Sequence, residues 1–315
     1  MKSRKNTSRK TPASRPAITL REAIGSEDPN LRQVVAILAE LSVVISSEIP
    51  NHFGLSQTYN VYGEKQEKLD IWANDLISQR LLRSGFVRQV ASEELDRPLS
   101  ASAGEFTAVF DPIDGSSNLE SNNVFGTIVG VYRDESLPAK GRNLICSMYF
   151  MYGPCLELIL ALKEGVRLFV DRGRGKAGDR FVSDGALLRL PEKPEVYGVG
   201  GLRSKWIDKV RVFVEKLESR GLKLRYGGSS TGDVNQILTK GGFFAYPELV
   251  DAPNGKFRLQ FESNPMAFIV EGVGGRASTG SGNILDVEPS DITQRIPTYL
   301  GNSDLVAEFE HLMRT

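Results

Sequence analysis

The feature that most constrains this chain is an apolar run, Thr107-Ala108-Val109-Phe110, that stops on two carboxylates, Asp111 and Asp114. The run reads as a buried strand. The Gly115-Ser116-Ser117 that follows reads as a turn opening a helix, so both aspartates sit at the carboxyl end of a strand. Pro112 between them has no N–H and a fixed φ, which stiffens the turn. Gly115, Ser116 and Ser117 offer backbone N–H and hydroxyl donors where a helix begins, a ready anion site. Carboxylates suited to hard cations beside donors suited to phosphate point to metal-assisted phosphoryl transfer. An Asx turn in a surface loop is the bland alternative; the strand before the motif and the Gly-Ser-Ser after it argue against that.

The rest of the chain supplies two α/β halves with no internal repeat. Asp28-Pro29 is a cap with proline at the first helical position, followed by Leu31, Val34, Val35, Leu38, Leu41 and Ile45 at helical spacing. A second helix carries Leu69, Trp72, Ala73, Leu76 and Leu81, with Gly85 past its end. Val87 to Ala91 is a short strand running into Ser92-Glu93-Glu94. Apolar runs at 126–132, 144–152, 156–162 and 166–171 predict four more strands, the last two joined as a hairpin at Lys163-Glu164-Gly165. Consecutive strands of this kind predict a mixed sheet with antiparallel members.

A linker is expected at 191–194. Beyond it the pattern predicts a helix capped by Ser204 and strands at 222–226, 243–246 and 256–261. Helices are expected at 233–239 and 265–273. In the 256–261 strand, alternation places Lys256, Arg258, Gln260 and Glu262 on one face and Phe257, Leu259 and Phe261 on the other.

Composition excludes several partners. Lys plus Arg equals Asp plus Glu, 39 each in 315 residues, so nothing global attracts nucleic acid or an anionic membrane. No apolar run approaches the roughly 18 residues needed to span a bilayer. Cys146 and Cys155 stand in apolar, strand-like contexts and read as core thiols, which fits a reducing, cytoplasmic setting. Residues 1–16 hold Lys2, Arg4, Lys5, Arg9, Lys10 and Arg15 with Ser, Thr, Pro and no acid. They read as a disordered tail, with a transit peptide or a polyanion-binding arm as alternatives.

Two aspartates alone do not hold two metals. Glu93 and Glu94 follow a strand, and neighbouring side chains in an extended segment point oppositely, so the pair can serve two ligands. Glu64, Asp70 and Glu262 are further candidates, each of which alone would read as a surface charge.

DPIDGSSN, with SEEL upstream and KFRLQFESNPMA downstream, resembles the class I fructose-1,6-bisphosphatase and sedoheptulose-1,7-bisphosphatase family. That family lies within the magnesium-dependent, lithium-sensitive phosphatases. The resemblance runs from about Asn30 to Met313. It implies a layered α/β fold of two mixed-sheet halves with the active site where they meet. The expected divisions are a tail at 1–16, a metal-binding domain at 17–192 and a sugar-phosphate-binding domain at 193–315.

The resemblance also implies roles. Glu93, Asp111, Asp114, Glu262 and the Ile113 carbonyl ligate Mg2+, two or three ions per chain, with Mn2+ as an alternative. Glu94 and Asp70 take the proton of the attacking water. The family's mobile loop pattern, G-D-x-x-x-K-L-D, reads here Gly63-Glu64-Lys65-Gln66-Glu67-Lys68-Leu69-Asp70, so Glu64 replaces the loop aspartate with a side chain one methylene longer. Gly115, Ser116 and Ser117 grip the scissile phosphate and Arg258 holds its growing charge. Lys256, Arg225, Tyr226 and Tyr246 take the second phosphate, Arg225 reaching a neighbouring subunit in a homodimer or homotetramer.

One segment departs from the pattern. The family's Asn-Glu-Gly-Tyr for the distal phosphate is Val199-Gly200-Gly201-Leu202-Arg203 here, closer to sedoheptulose bisphosphatases, so a seven-carbon sugar is an alternative substrate. An inositol-type monophosphatase would not need Arg225, Lys256 and Tyr246 together. A non-catalytic phosphosugar-binding protein should have lost an acidic ligand, and none is missing. AMP-responsive relatives carry T-G-T-G-E early and Lys-Tyr before the central strand. Ile24-Gly25-Ser26-Glu27 and Glu105-Phe106 stand here instead.

Overall fold

A computed structural model describes residues 16–52, 55–59 and 65–315. Its largest element is a nine-stranded sheet. In spatial order the strands are Ile18–Thr19, Phe181–Ser183, Gly165–Asp171, Leu156–Leu162, Leu144–Tyr152, Phe125–Arg133, Phe106–Asp114, Val87–Ser92 and Leu99–Ser100. Every pairing is antiparallel except Val87–Ser92 with Phe106–Asp114.

The central strands are mostly apolar because both faces are covered, and period-two alternation divides their side chains between two cores. Val129, Val131, Cys146, Met148, Phe150, Leu158 and Leu160 join a core with the helices Pro29–Glu48 and Lys68–Arg83. Their sequence neighbours Ile128, Tyr149, Ile159 and Ala161 join another, with the helices Ser230–Lys240 and Asn264–Gly272.

Those two helices are roofed by a five-stranded sheet in the order Lys223–Leu224, Val196–Val199, Gly242–Tyr246, Thr298–Gly301, Arg276–Ser278. A third core packs its far face against the helices Asp208–Ser219 and Ser303–Arg314. The result is five alternating layers of helix and sheet.

The Pro29–Glu48 helix starts as the sequence predicts, with Asp28 Oδ1 accepting from Asn30 N at 2.8 Å and Leu31 N at 3.1 Å. Contrary to the hydropathy reading, the stretch Pro29–Asn51 is long and apolar enough by length and composition to cross a membrane. In the fold its Leu31, Val34, Leu38, Leu41 and Ile45 face is buried in the core.

Other expectations are corrected. Residues 256–261 form no strand. The Glu262 carboxylate accepts the Arg258 N–H at 2.7 Å, and the Glu262 and Ser263 N–H groups donate to Arg258 O. This wraps Leu259–Ser263 into a π-helical turn with every residue buried, so alternation loses its meaning there. The helix expected at Ser204 begins at Asp208, after a separate 3-10 turn at Arg203–Lys205. The 222–226 strand shrinks to Lys223–Leu224. Gly-Ser-Ser opens only a single 3-10 turn, Ser116–Asn118. Cys146 is buried, but Cys155 lies exposed in a turn.

Candidate active site

Because Val87–Ser92 and Phe106–Asp114 run parallel, their carboxyl ends emerge at one edge. Glu93 follows the first, its N–H bonded to Phe110 O at 3.2 Å, and Asp111 and Asp114 end the second. Pairing with Phe125–Arg133 is irregular between Asp111 and Asp114, and the turn is fixed locally. Ile113 N donates to Asp111 Oδ1 at 3.0 Å and Thr127 Oγ1 donates to Pro112 O at 2.7 Å. The π-helical turn delivers Glu262 to the same edge, where oxygens of Glu93, Asp111 and Glu262 lie within 4.8 Å of one another.

These groups belong to a cleft of about 280 Å3 between the two sheets. Asp70, Glu93, Glu94, Asp111, Asp114 and Glu262 line it, as do Ile113, Gly115, Ser116 and Ser117. The opposite wall holds Tyr226, Tyr246 and Lys256, with Lys256 Nζ 5.7 Å from the Tyr246 ring centroid. Gly200 permits this wall, since a Cβ there would lie 2.6 Å from Tyr246 Cδ2. The departing 199–203 segment therefore backs the wall rather than lining the cleft.

Arg225 and Arg258 do not line the cleft. Arg225 is exposed, donates from Nη1 to Leu224 O at 2.8 Å and faces a second cavity. Arg258 is buried behind the acidic cluster, its Nε 3.1 Å from Glu93 Oε1. Glu64 falls outside the described residues.

Asp114 has a contact the sequence did not disclose. Its carboxylate accepts from Ser229 Oγ at 2.6 Å, from Ser230 N and Oγ at 3.0 and 2.8 Å, and from Thr231 N and Oγ1 at 2.7 and 2.9 Å. It thus caps the Ser230–Lys240 helix and ties the strand end of one sheet to the layer beneath the other. Gly115 beside it has φ +80°, and a Cβ there would lie 2.5 Å from Ser229 Cβ, so only glycine allows this approach.

Sequence reasoning also missed Asp233, which is buried in the same cleft. Its pKa is pushed up to about 7 by burial, against the opposing Gly227 and Gly228 N–H bonds. The available signal was an aspartate in the first turn of a helix after Gly-Gly.

The acidic groups strain against one another. Burial, then the charges of Glu93, Asp114, Glu262 and Asp70, hold Asp111 well above the usual carboxylate range. Burial and Glu93 do the same to Glu262, opposed by the Arg258 N–H. A carboxylate set this dense, with oxygen donors from three elements, fits a divalent cation.

A pH prediction follows. Without metal, these groups keep protons that the unfolded chain has already lost, so stability falls as pH rises from the ordinary carboxylate range toward their raised pKa values. A divalent cation must displace those protons. Mg2+ should therefore raise the melting temperature more at pH 8 than at pH 5.5, in thermal melts against EDTA controls. An equal shift at both pH values would contradict the protonated cluster.

Fold and cleft together define a layered α/β protein with a divalent-cation site. Residues 22–177 match the family described as "Fructose-1-6-bisphosphatase, N-terminal domain", and residues 190–314 match its C-terminal domain. The chain belongs to the fructose-1,6-bisphosphatase family. It is 39% identical over 297 residues to a class 1 fructose-1,6-bisphosphatase of Geobacter sulfurreducens, covering 92% of this chain and 94% of that one. It is 38% identical over 275 residues to one from Halobacterium salinarum, covering 87% and 93%. The crystal structure of Leishmania major fructose-1,6-bisphosphatase in holo form superposes with a TM-score of 0.87 at 29% identity, covering 95% of this chain and 99% of that one.

Proposed function

We propose that this chain hydrolyses the 1-phosphate of fructose 1,6-bisphosphate, giving fructose 6-phosphate and inorganic phosphate. The observation that carries the reading is one cleft with a carboxylate cluster and a Gly-Ser-Ser turn on one side and a Tyr246–Lys256 wall on the other. The named relatives are all fructose-1,6-bisphosphatases, which favours this sugar over sedoheptulose 1,7-bisphosphate.

Glu93, Asp111, Asp114, Glu262 and the Ile113 carbonyl would hold Mg2+. Bound cations would supply charge neutralisation and make a water acidic enough to ionise near neutral pH. Glu94 and Asp70 line the cleft beside these groups and receive the proton of the attacking water. Ser116 and Ser117 hold the scissile phosphate with hydroxyl and N–H donors. Arg258 acts through Glu93, holding that carboxylate in the cluster. Lys256 and Tyr246 take the distal phosphate. The cleft draws Asp111 and Asp114 from 17–192 and Glu262 from 193–315, so catalysis needs both halves.

Arg225, exposed and turned from its own cleft, is assigned to a neighbouring chain's site in a homodimer or homotetramer. Phosphate release from fructose 1,6-bisphosphate, sedoheptulose 1,7-bisphosphate and inositol monophosphate, each with Mg2+, tests the reading. Equal cleavage of inositol monophosphate would defeat it.

Control by AMP at the usual family position is not expected. Arg133, the remaining cation there, pairs with Glu105 at 2.7 Å and Asp28 at 3.1 Å and lies over the Phe106 ring. Two carboxylates leave little attraction for a phosphate. Millimolar AMP should leave kcat and KM unchanged; strong inhibition abolished by Arg133→Ala would overturn this.

A further inference from the structure

The turn that carries Tyr226 is a thin wall. The cleft of about 280 Å3 lies on one face and the second cavity, about 270 Å3, on the other; Tyr226 and Asp233 line both. Packing cannot hold backbone that has space on each side. Hydrogen bonds hold it instead, and they converge on one residue. Asp233 Oδ1 accepts the Gly227 N–H at 2.6 Å and Oδ2 accepts the Gly228 N–H at 3.2 Å. From the opposite side, Asn118 Nδ2 donates to Gly227 O at 2.9 Å and to Val124 O at 2.7 Å.

The Gly227 peptide is therefore gripped at both ends. Asp233 reaches it from the helix whose first residues bind Asp114. Asn118 reaches it from the end of the 3-10 turn Ser116–Asn118, which carries Ser116 and Ser117. Both struts are buried, Asn118 at 9% and Asp233 at 4% exposure. Glycine is required at 228, where φ is +83°.

We propose that Asp233 and Asn118 are positioning residues for the sugar-binding wall. They fix the Gly227-Gly228 turn, and hence Tyr226, at a set distance from the Ser116–Ser117 turn, so that a substrate spanning both must match that span. This rests on the bisphosphatase reading above. Both side chains spend their hydrogen bonds on the turn backbone rather than on the carboxylate cluster, so their loss should weaken substrate binding more than the chemical step.

Asp233→Ala and Asn118→Ala should each raise KM for fructose 1,6-bisphosphate about tenfold, with kcat changed less than about threefold. Because both act through one peptide, the double variant should raise KM no more than the worse single variant, whereas independent effects would multiply. Asp233→Asn keeps an acceptor for the Gly227 N–H but turns an NH2 group toward the Gly228 N–H, so it should restore only part of the loss. Asn118→Asp should not, since it would face two carbonyl oxygens.

Hydrogen exchange provides a readout free of activity: the Gly227 and Gly228 amides should be protected in the wild type and exposed in Asp233→Ala. Unchanged KM in folded single variants, multiplying effects in the double variant, or equal amide protection in wild type and Asp233→Ala would each overturn the proposal. If the wild type fails to hydrolyse the bisphosphate, the bisphosphatase reading falls, and the exchange comparison still decides whether the struts hold the turn.

Discussion

Asp114→Asn is expected to lower kcat at least about 100-fold and to lower the melting temperature in the same protein. From the sequence alone the substitution removes only a metal ligand and should leave the fold intact. The structure adds a second cost. Both carboxylate oxygens accept from Ser229, Ser230 and Thr231. An asparagine offers one acceptor oxygen and turns an NH2 group toward N–H donors. Hydrogen bonds to a charged group contribute about 1.5–3 kcal/mol each, and leaving buried donors unmade costs a similar amount. A net loss of about 2–4 kcal/mol would lower Tm by roughly 3–6 °C in a chain of this size. The two effects separate experimentally. Activity is measured at saturating Mg2+ well below the melting temperature, and stability is measured with EDTA present. More than about a tenth of wild-type turnover would remove Asp114 from the metal set. An unchanged melting temperature would show that the helix cap contributes nothing.

That double role explains what the sequence discloses and what it hides. Phe106–Asp114 and the four strands after it are legible because sandwiching between helix layers leaves them mostly apolar on both faces, with only isolated polar residues such as Thr127, Ser147 and Glu157 within the runs. Asp111, Asp114 and the following Gly-Ser-Ser are legible because a strand–turn motif is local. The partners of Asp114 are not, since Ser229 to Thr231 lie more than a hundred residues away and look like an ordinary polar helix start. Residues 256–261 mislead for a related reason. Their alternation is real, but the Glu262 carboxylate takes the Arg258 N–H while the Glu262 and Ser263 N–H groups return to Arg258 O, and these bonds make a wide turn of a segment that reads as extended. Asp233 is hidden by its ordinariness, because an acidic residue in the first turn of a helix normally needs no further purpose.

Fructose 1,6-bisphosphate should be preferred over monophosphates by on the order of 10²–10⁴ in kcat/KM, taking two charge-assisted contacts at about 1.5–3 kcal/mol each. The cation within the chain's own cleft wall on that side is Lys256, set against Tyr246 and Phe257. Its distance from the carboxylate cluster matters: a contact to the distal phosphate is the same before and during phosphoryl transfer, so its loss appears in KM and leaves kcat nearly unchanged. Lys256→Met should therefore raise KM for the bisphosphate tenfold or more while leaving the slow hydrolysis of a sugar monophosphate unaltered. Arg225→Ala should act in the same direction under the proposed role of its solvent-exposed guanidinium at a neighbouring chain's site. On that proposal its effect should vanish for the chain kept monomeric by dilution, whereas that of Lys256→Met persists. If Lys256→Met reduces kcat for bisphosphate and monophosphate equally, the lysine serves the chemical step rather than the second phosphate. The two-phosphate assignment of this wall would then be wrong.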